Sequence, residues 1–360
     1  MLLPLLLLLG GAGKPGAKLS PLVLKSEQLP FRTQEFYIAE VVDERPNPHA
    51  VGQMVPTAPV AGPAAVPQPI DLQGGSIPAI KKYIRESFSA NPTARPVVMR
   101  LKEYQVTEKP ASGNRVEGQI QISAAFEVVR EGKHLHLIDF KSGAKYARPA
   151  SNQAVVEPTL RKMLSESLRY LTNWVDQEVA ENQKLATRIQ VHFEEEVNHQ
   201  AEDTLFYAPA RPLRWTDFKG GSRLSGSYVA SIFPGVSNDT HATVKDGVLH
   251  VQVSIKAFMV RSLSKALPSV SDAYSLNHEQ RHFDLAQLVA EHYKQRVRPE
   301  KLTIEDYESI IQYQYLEALW EMGRLQEQYD DETGHGTNHA AQARWNQKID
   351  QELRVLKIKP

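Results

Sequence analysis

Five consecutive residues, His278-Glu279-Gln280-Arg281-His282, carry the donors for one metal ion with a base beside them. Two His four apart lie about 40° apart around a helix, so both imidazoles reach one zinc while the Glu between them meets the water it holds. Zinc brings the pKa of that water toward ~7, the carboxylate takes the proton, and a peptide carbonyl polarised by the metal is open to attack. The expected chemistry is hydrolysis, with His278 and His282 as zinc ligands and Glu279 as general base.

Such a motif needs a helix to hold it and neighbours to complete it. Ser275 offers an N-cap after the turn-like run Pro268 to Asp272, and Phe283, Leu285, Ala286, Leu288 and Val289 supply packing positions downstream. Just before this helix, Leu249, Val251, Val253, Ile255 and Ala257 alternate with His250, Gln252, Ser254 and Lys256, which predicts a strand with one buried face. An edge strand beside a motif helix can grip an extended substrate through main-chain hydrogen bonds, and this strand is the one expected there. His250 on its polar face reads as a surface residue.

A second long helix is expected from Ile304 to Gln328, its stripe of Ile311, Tyr315, Leu319, Met322 and Leu325 packing on the motif helix. Tyr329 through Gly336 then reads as a polar turn in which His335, between two glycines, has no packing role and presents its imidazole. His335 is the expected third ligand. Glu317 or Glu321 would give a set with a Glu, and Asp330 one with an Asp. Pairing with Arg324 accounts for Glu321 without metal, and Asp330 suits the orienting of a ligand imidazole. The longer motif with Gly and His three and six residues on is excluded, because Leu285 and Leu288 stand at those positions.

Four separated motifs then carry a family resemblance. Trp215-Thr216-Asp217-Phe218, His278 to Asp284, Tyr329-Asp330 with Thr333 to Gly336, and Gln342 with Trp345 resemble the bacterial family called domain of unknown function 922, described as predicted secreted zinc-dependent proteases. The resemblance covers residues 205 to 360. It implies a zincin-like metallopeptidase domain, export, His278, His282 and His335 as zinc ligands, and Glu279 as the base.

Composition bounds the rest. A chain of 360 residues, 41% hydrophobic and 23% charged, has room for two cores, and its net charge of zero with no basic stripe excludes nucleic acid as a partner. Without cysteine there are no disulfides or thiolate zinc sites. The run Leu2 to Leu9, followed by small residues, resembles a secretory leader within residues 1 to 18 and is too short to span a membrane.

Residues 20 to 190 predict an N-terminal mixed α/β domain of unknown role. Strands are expected at Phe36–Val42, Val97–Val106, around Ile120 to Val128 and near Leu135–Phe140. Helices are expected at Ile77–Ser89 and along Leu160, Leu164, Leu168, Leu171, Val175 and Val179, with a Pro-rich loop from Pro56 to Pro69 between the first strand and the first helix. His134 and His136 read as a solvated strand face, and Asp43-Glu44-Arg45 as a charged turn. The expectation is therefore an exported or periplasmic α+β protein of the bacterial envelope with a zinc peptidase domain, acting on a peptide or protein substrate, and with docking or recognition of a protein partner as the role of its first domain. The alternative is an envelope binding or assembly module that keeps zinc without cleaving anything.

Overall fold

The computed structural model describes residues 19–57, 66–194, 202–221, 229–269 and 272–358, and every count below refers to these. The leader, Pro59 and Pro63 of the Pro-rich loop, and Val270 and Ser271 of the turn before the motif lie outside them. The protein is mixed α+β and divides after Val179 into two compact units.

The first unit contains β1 (Arg32–Thr33), β2 (Phe36–Asp43), β3 (Gly52–Met54), β4 (Gln68–Ile70), α1 (Ser76–Ser87), β5 (Ser89–Ala90), β6 (Arg95–Ala111), β7 (Arg115–Arg130), β8 (Lys133–Pro149) and α2 (Val156–Glu178). Its main sheet runs β4-β3-β6-β7-β8, with β2 parallel on β6. The period-two pattern of β7 dictates this arrangement: Ile120, Ile122, Ala124, Phe126 and Val128 all point inward and are at most 2% exposed. On α2, Leu160, Leu164, Leu168, Leu171 and Val175 form the facing stripe and are fully buried, each contributing about 1.5–3 kcal/mol of transfer free energy. Arg45 is tied by Asp43 and by the carbonyls of Pro48 and Ala50, so the charged run there organises its own turn. His134 and His136 sit on the exposed face of β8 beside Glu127 and Asp139.

The second unit comprises β9 (Arg188–Phe193), β10 (Thr204–Phe206), β11 (Ala230–Ser231), β12 (Pro234–Lys245), β13 (Val248–Val260), β14 (Lys265–Ala266), α3 (Ala273–Arg296), α4 (Tyr307–Thr333) and α5 (His339–Val355). The sheet β10-β13-β12 also takes β9, a strand not expected from the sequence, in parallel on β13, and β9 belongs to the second unit. Its register explains the pairing. Ile189, Val191 and Val253's partner Phe193 fall on the face of Leu249 and Val251, which is the core face. As a result β13 is paired on both sides and cannot be the edge that receives an extended chain; the edge on that side of the sheet is β12.

Three helix boundaries differ in informative ways. α3 begins after Asp272, whose side chain accepts the Ser275 N–H, so Asp272 and not Ser275 is the N-cap. α4 does not stop at Gln328 but runs on to Thr333, because Tyr329 and Thr333 are fully buried and continue its inner face. The expected polar turn is thereby reduced to Gly334, His335 and Gly336. α5 follows with Asn338 as N-cap and packs Trp345, Ile349 and Leu353 against Leu285, Leu288 and Tyr329. No described helix is long and apolar enough to cross a membrane.

α3 is surrounded. Phe283, Ala286, Ala290 and Tyr293 pack on the sheet, while Leu285 and Leu288 meet α5. The loop before β11 is tied down by Asp217, which accepts from Arg211, Arg261 and the Arg214 N–H and is itself fully buried. Leu213, in the same loop, donates its N–H to Gln280 of the motif. Burial acts to raise the Asp217 carboxyl, but hydrogen bonds from Arg211 and Arg214 outweigh it and hold it below the usual range. A depressed folded pKa means the stabilisation is present above about pH 4 and is lost as pH falls through the folded value. Asp217→Asn should therefore lower the free energy of urea unfolding of the second unit at pH 7 by about 2 kcal/mol, and should narrow the gap between variant and parent at pH 3, both followed by tryptophan fluorescence.

Candidate metal centre

The motif residues 278 to 282 lie in the first half of α3, and each side of the helix gives them a different neighbour. Glu279 faces the sheet side, where its Oε2 accepts the Ile232 N–H at 2.7 Å. His278 and His282 face α4, and Arg281 reaches α5, pairing with Asp284 and Asp350. His278, Glu279 and His282 form the floor of an open cleft of about 680 Å³, whose walls are the 229–234 segment, the start of α3, Gln326 and Asp330 of α4, and residues 335–339.

The two imidazoles are held in one orientation each. His278 Nδ1 lies 3.0 Å from Gln342 Oε1, and the amide nitrogen of Gln342 donates to the Tyr329 hydroxyl at 2.5 Å. His282 Nδ1 is hydrogen bonded to Gln326 Oε1, and the amide nitrogen of Gln326 donates to the His282 carbonyl at 2.9 Å. With both amide nitrogens engaged as donors, both amide oxygens are left to accept, so each Nδ1 carries the proton and each Nε2 presents a lone pair. Tyr329 backs both rings, stacked on His278 and edge-on to His282.

The lone pairs converge. The two Nε2 atoms are 3.3 Å apart, and Asp330 Oδ1 is 3.2 Å from the first and 2.9 Å from the second. These donor atoms of His278, His282 and Asp330 all lie within 4.8 Å of one another. Two Zn–N bonds of about 2.0–2.1 Å at the tetrahedral angle put their nitrogens about 3.3 Å apart, which is the spacing seen. Three acceptors facing one point repel unless a proton or a cation lies between them. The donor set, two neutral imidazoles and a carboxylate, fits zinc.

The electrostatics express the same need for positive charge. Burial would lower the His282 pKa, but the Asp330 hydrogen bond and the Glu279 charge outweigh it and raise it. Asp330 is pushed up by burial and pulled well below the carboxylate range by His278 and His282. Glu279, 4% exposed, has its pKa raised by burial against the opposing charges of His282 and His278.

The remaining candidates are spread differently. His335 lines the cleft with its Nδ1 3.3 Å from Asp330 Oδ2, on the far oxygen from the other imidazoles, and is 41% exposed. It lies in a run of three left-handed residues, with φ of 56° at Gly334, 49° at His335 and 84° at Gly336. Such a conformation costs a non-glycine residue about 1 kcal/mol or more. Gly336 is needed for a second reason, since a Cβ there would sit 3.3 Å from the His278 ring. Glu321 binds His292 and Arg296 of α3, at 2.6 and 2.7 Å, rather than Arg324, and Glu317 hydrogen bonds Tyr313; neither lines the cleft. His250 stacks on His192 in the second unit's sheet, outside the cleft.

Three participants were missed by sequence reasoning. Gln326 stands one turn before Asp330, a spacing that could have exposed it once α4 was known to continue. Gln342 was visible only as part of the family resemblance, and the Ile232 N–H leaves no sequence signal at all.

No family profile and no curated protein matches this sequence. The resemblance to domain of unknown function 922 therefore rests on its four motifs alone. Among solved structures, a Xanthomonas campestris protein of family DUF330 aligns at 9% identity over 44% of this chain and 95% of its own, with a TM-score of 0.29. A minor lipoprotein from Acinetobacter baumannii aligns at 16% identity over 28% of this chain and 79% of its own, with a TM-score of 0.19. At these TM-scores neither alignment bears on what the chain does.

The orienting role of Gln342 is open to measurement. Gln342→Leu keeps the volume but leaves His278 Nδ1 without an acceptor, so zinc affinity in a chelator competition should fall about 10–100-fold while the unfolding temperature in the absence of metal changes little.

Proposed function

We propose that this protein is a zinc-dependent peptidase whose cleft is the active site, with His278, His282 and Asp330 as the metal-holding set and Glu279 as general base. The observation that carries the reading is the convergence of two lone-pair-bearing Nε2 atoms and a carboxylate oxygen on one point beside a buried carboxylate. Sequence alone favoured His335 as third ligand. The geometry favours Asp330, with His335 Nδ1 3.3 Å from its other oxygen and placed to orient it.

Zinc held there would supply a Lewis acid and an acidified water. The chain's own contribution is positional. Ile232 fixes one oxygen of Glu279 by its backbone N–H and leaves the other to take a proton. Burial raises the basicity of that carboxylate, which suits a proton acceptor near neutral pH. The cleft is open enough for a polypeptide in extended form. A leader-like N-terminus supports work outside the cytosol.

Metal analysis with a peptide digest tests this. Glu279→Gln should retain zinc and fold while losing about 10²-fold or more in peptide hydrolysis; equal turnover by the variant overturns the mechanism, and no cleavage of any peptide by the zinc-loaded parent leaves the non-catalytic zinc module as the correct description. For the ligands, Asp330→Ala should weaken zinc binding more than His335→Ala does, and the reverse order returns the third position to His335. Because the His282 pKa is raised, its imidazolium persists above the ordinary value of about 6.5, and proton competition extends into that range. Zinc affinity should therefore climb as pH rises through and beyond that value, with protons released on binding.

A further inference from the structure

Outside the cleft, the second unit has a turn where exposed apolar side chains and cations stand together. β13 ends at Val260, and the chain reverses over Arg261, Ser262 and Leu263 before β14, with the Ser264 N–H bonded back to the Val260 carbonyl. Phe233 is fastened to both sides of this reversal: its carbonyl accepts the Val260 N–H, and its own N–H donates to Ser264 Oγ. Phe233 and Leu263 are each 50% exposed, and neither lines the cleft. The segment that leads to Phe233 alternates as an extended chain does. Ala230 and Ile232 are buried, whereas Val229, Ser231 and Phe233 are exposed.

Cations frame the reversal. Lys219 and Gly220 both donate their N–H groups to the Arg261 carbonyl, and Gly220 donates to the Ser264 carbonyl as well. A Cβ on Gly220 would lie 2.7 Å from the Lys265 side chain, so the 219–220 loop rests hard against the turn. Lys265 is bridged to Gly220 on one side and paired with Ser231 on the other. Exposed Arg214 belongs to the loop that Asp217 ties to Arg261. The acids nearby do not cancel this charge. Asp217 is already held by Arg211 and Arg261, and Asp203, beside Glu202, accepts from Ser262 and is stabilised by Lys219 and Arg261. The balance around the turn is positive.

We propose that this turn is a peripheral docking point for an anionic lipid surface, with Phe233 and Leu263 entering the interfacial layer while Lys219 and Lys265 meet the headgroup phosphates. Shape and charge select the occupant. A site that grips a peptide is concave, whereas these apolar side chains stand out at a chain reversal beyond the cleft lining. At a lipid surface the apolar area leaves water and each cation meets an excess of negative charge. Lasting attachment takes two such signals together, and both are present here. The inference goes beyond the peptidase reading and does not depend on it. Since 229–234 is also a wall of the cleft, docking at this turn would hold the cleft beside the headgroups.

Co-sedimentation of the full chain with vesicles tests the docking point. Vesicles of phosphatidylglycerol and phosphatidylcholine in equal parts should take up the protein at least about tenfold more strongly than phosphatidylcholine alone, and salt at about 0.5 M should remove most of that difference. Phe233→Ser with Leu263→Ser should lower the partition coefficient on the anionic vesicles about tenfold or more. Lys219→Gln with Lys265→Gln should lower it about 10–30-fold and shrink the difference between the two lipids. Unfolding temperatures show that each pair folds, and a pair that does not leaves the other to decide. Equal uptake by the two lipids, or a partition coefficient that the folded variants do not lower, overturns the proposal. So does loss, in the Phe233 and Leu263 pair, of self-association in sedimentation velocity or of binding to an acidic, apolar peptide while uptake by anionic vesicles holds. The two readings fail separately. Vesicle uptake by a zinc-loaded parent that cuts no peptide removes the peptidase and keeps the docking point, and peptide cleavage without vesicle uptake does the reverse.

Discussion

Three acceptor atoms aimed at one point are the constraint around which the second unit is organised. Left without a positive charge, His278 Nε2, His282 Nε2 and Asp330 Oδ1 would repel one another at 2.9 to 3.3 Å. Their neighbours deny them an easy escape. Gln342 and Gln326 fix the protonated side of each ring outward, Tyr329 backs both rings, and Gly336 closes on His278 from the loop side. With the rings held this firmly, a cation placed at that point would relieve a repulsion that they cannot relieve by swinging aside.

Holding the site in place explains why every residue of the motif is occupied, including those outside the donor set. Gln280 binds the Leu213 N–H and Arg281 joins Asp284 to Asp350, so the motif is tied at once to the 211–217 loop and to α5. Tyr207 adds a bond to Asp284 from the opposite side. The helix is largely apolar toward the sheet, polar toward α4 and mixed toward α5, which is why its amphipathic pattern is weak in sequence even though half of its 24 residues are buried.

That pattern sets what was legible in advance. The alternating strands β7 and β13 and the stripe of α2 could be read because each buries one face against one partner, and a single period survives in the sequence. β9 went unread because its pairing with β13 depends on residues about sixty positions away, which no local pattern records. The end of α4 was misread because Asp330, Asp331 and Glu332 look like turn residues, whereas buried Tyr329 and Thr333 keep the helix going. His278, Glu279 and His282 could be named from spacing alone, while Asp330 and the two orienting glutamines depended on where α4 and α5 came to lie.

The parallel pairing of β9 with β13 also fixes an order of events during synthesis. β9 emerges first, yet among the described residues its partner in the sheet is the strand Val248–Val260, so Ile189, Val191 and Phe193 cannot join it until that later strand has left the ribosome. Non-local pairing of this kind is slow and leaves an apolar strand waiting. The three converging donor atoms are fixed later still, since Gln342, which orients His278, lies in α5. A nascent chain therefore holds Glu279 for some time before it holds a complete cleft.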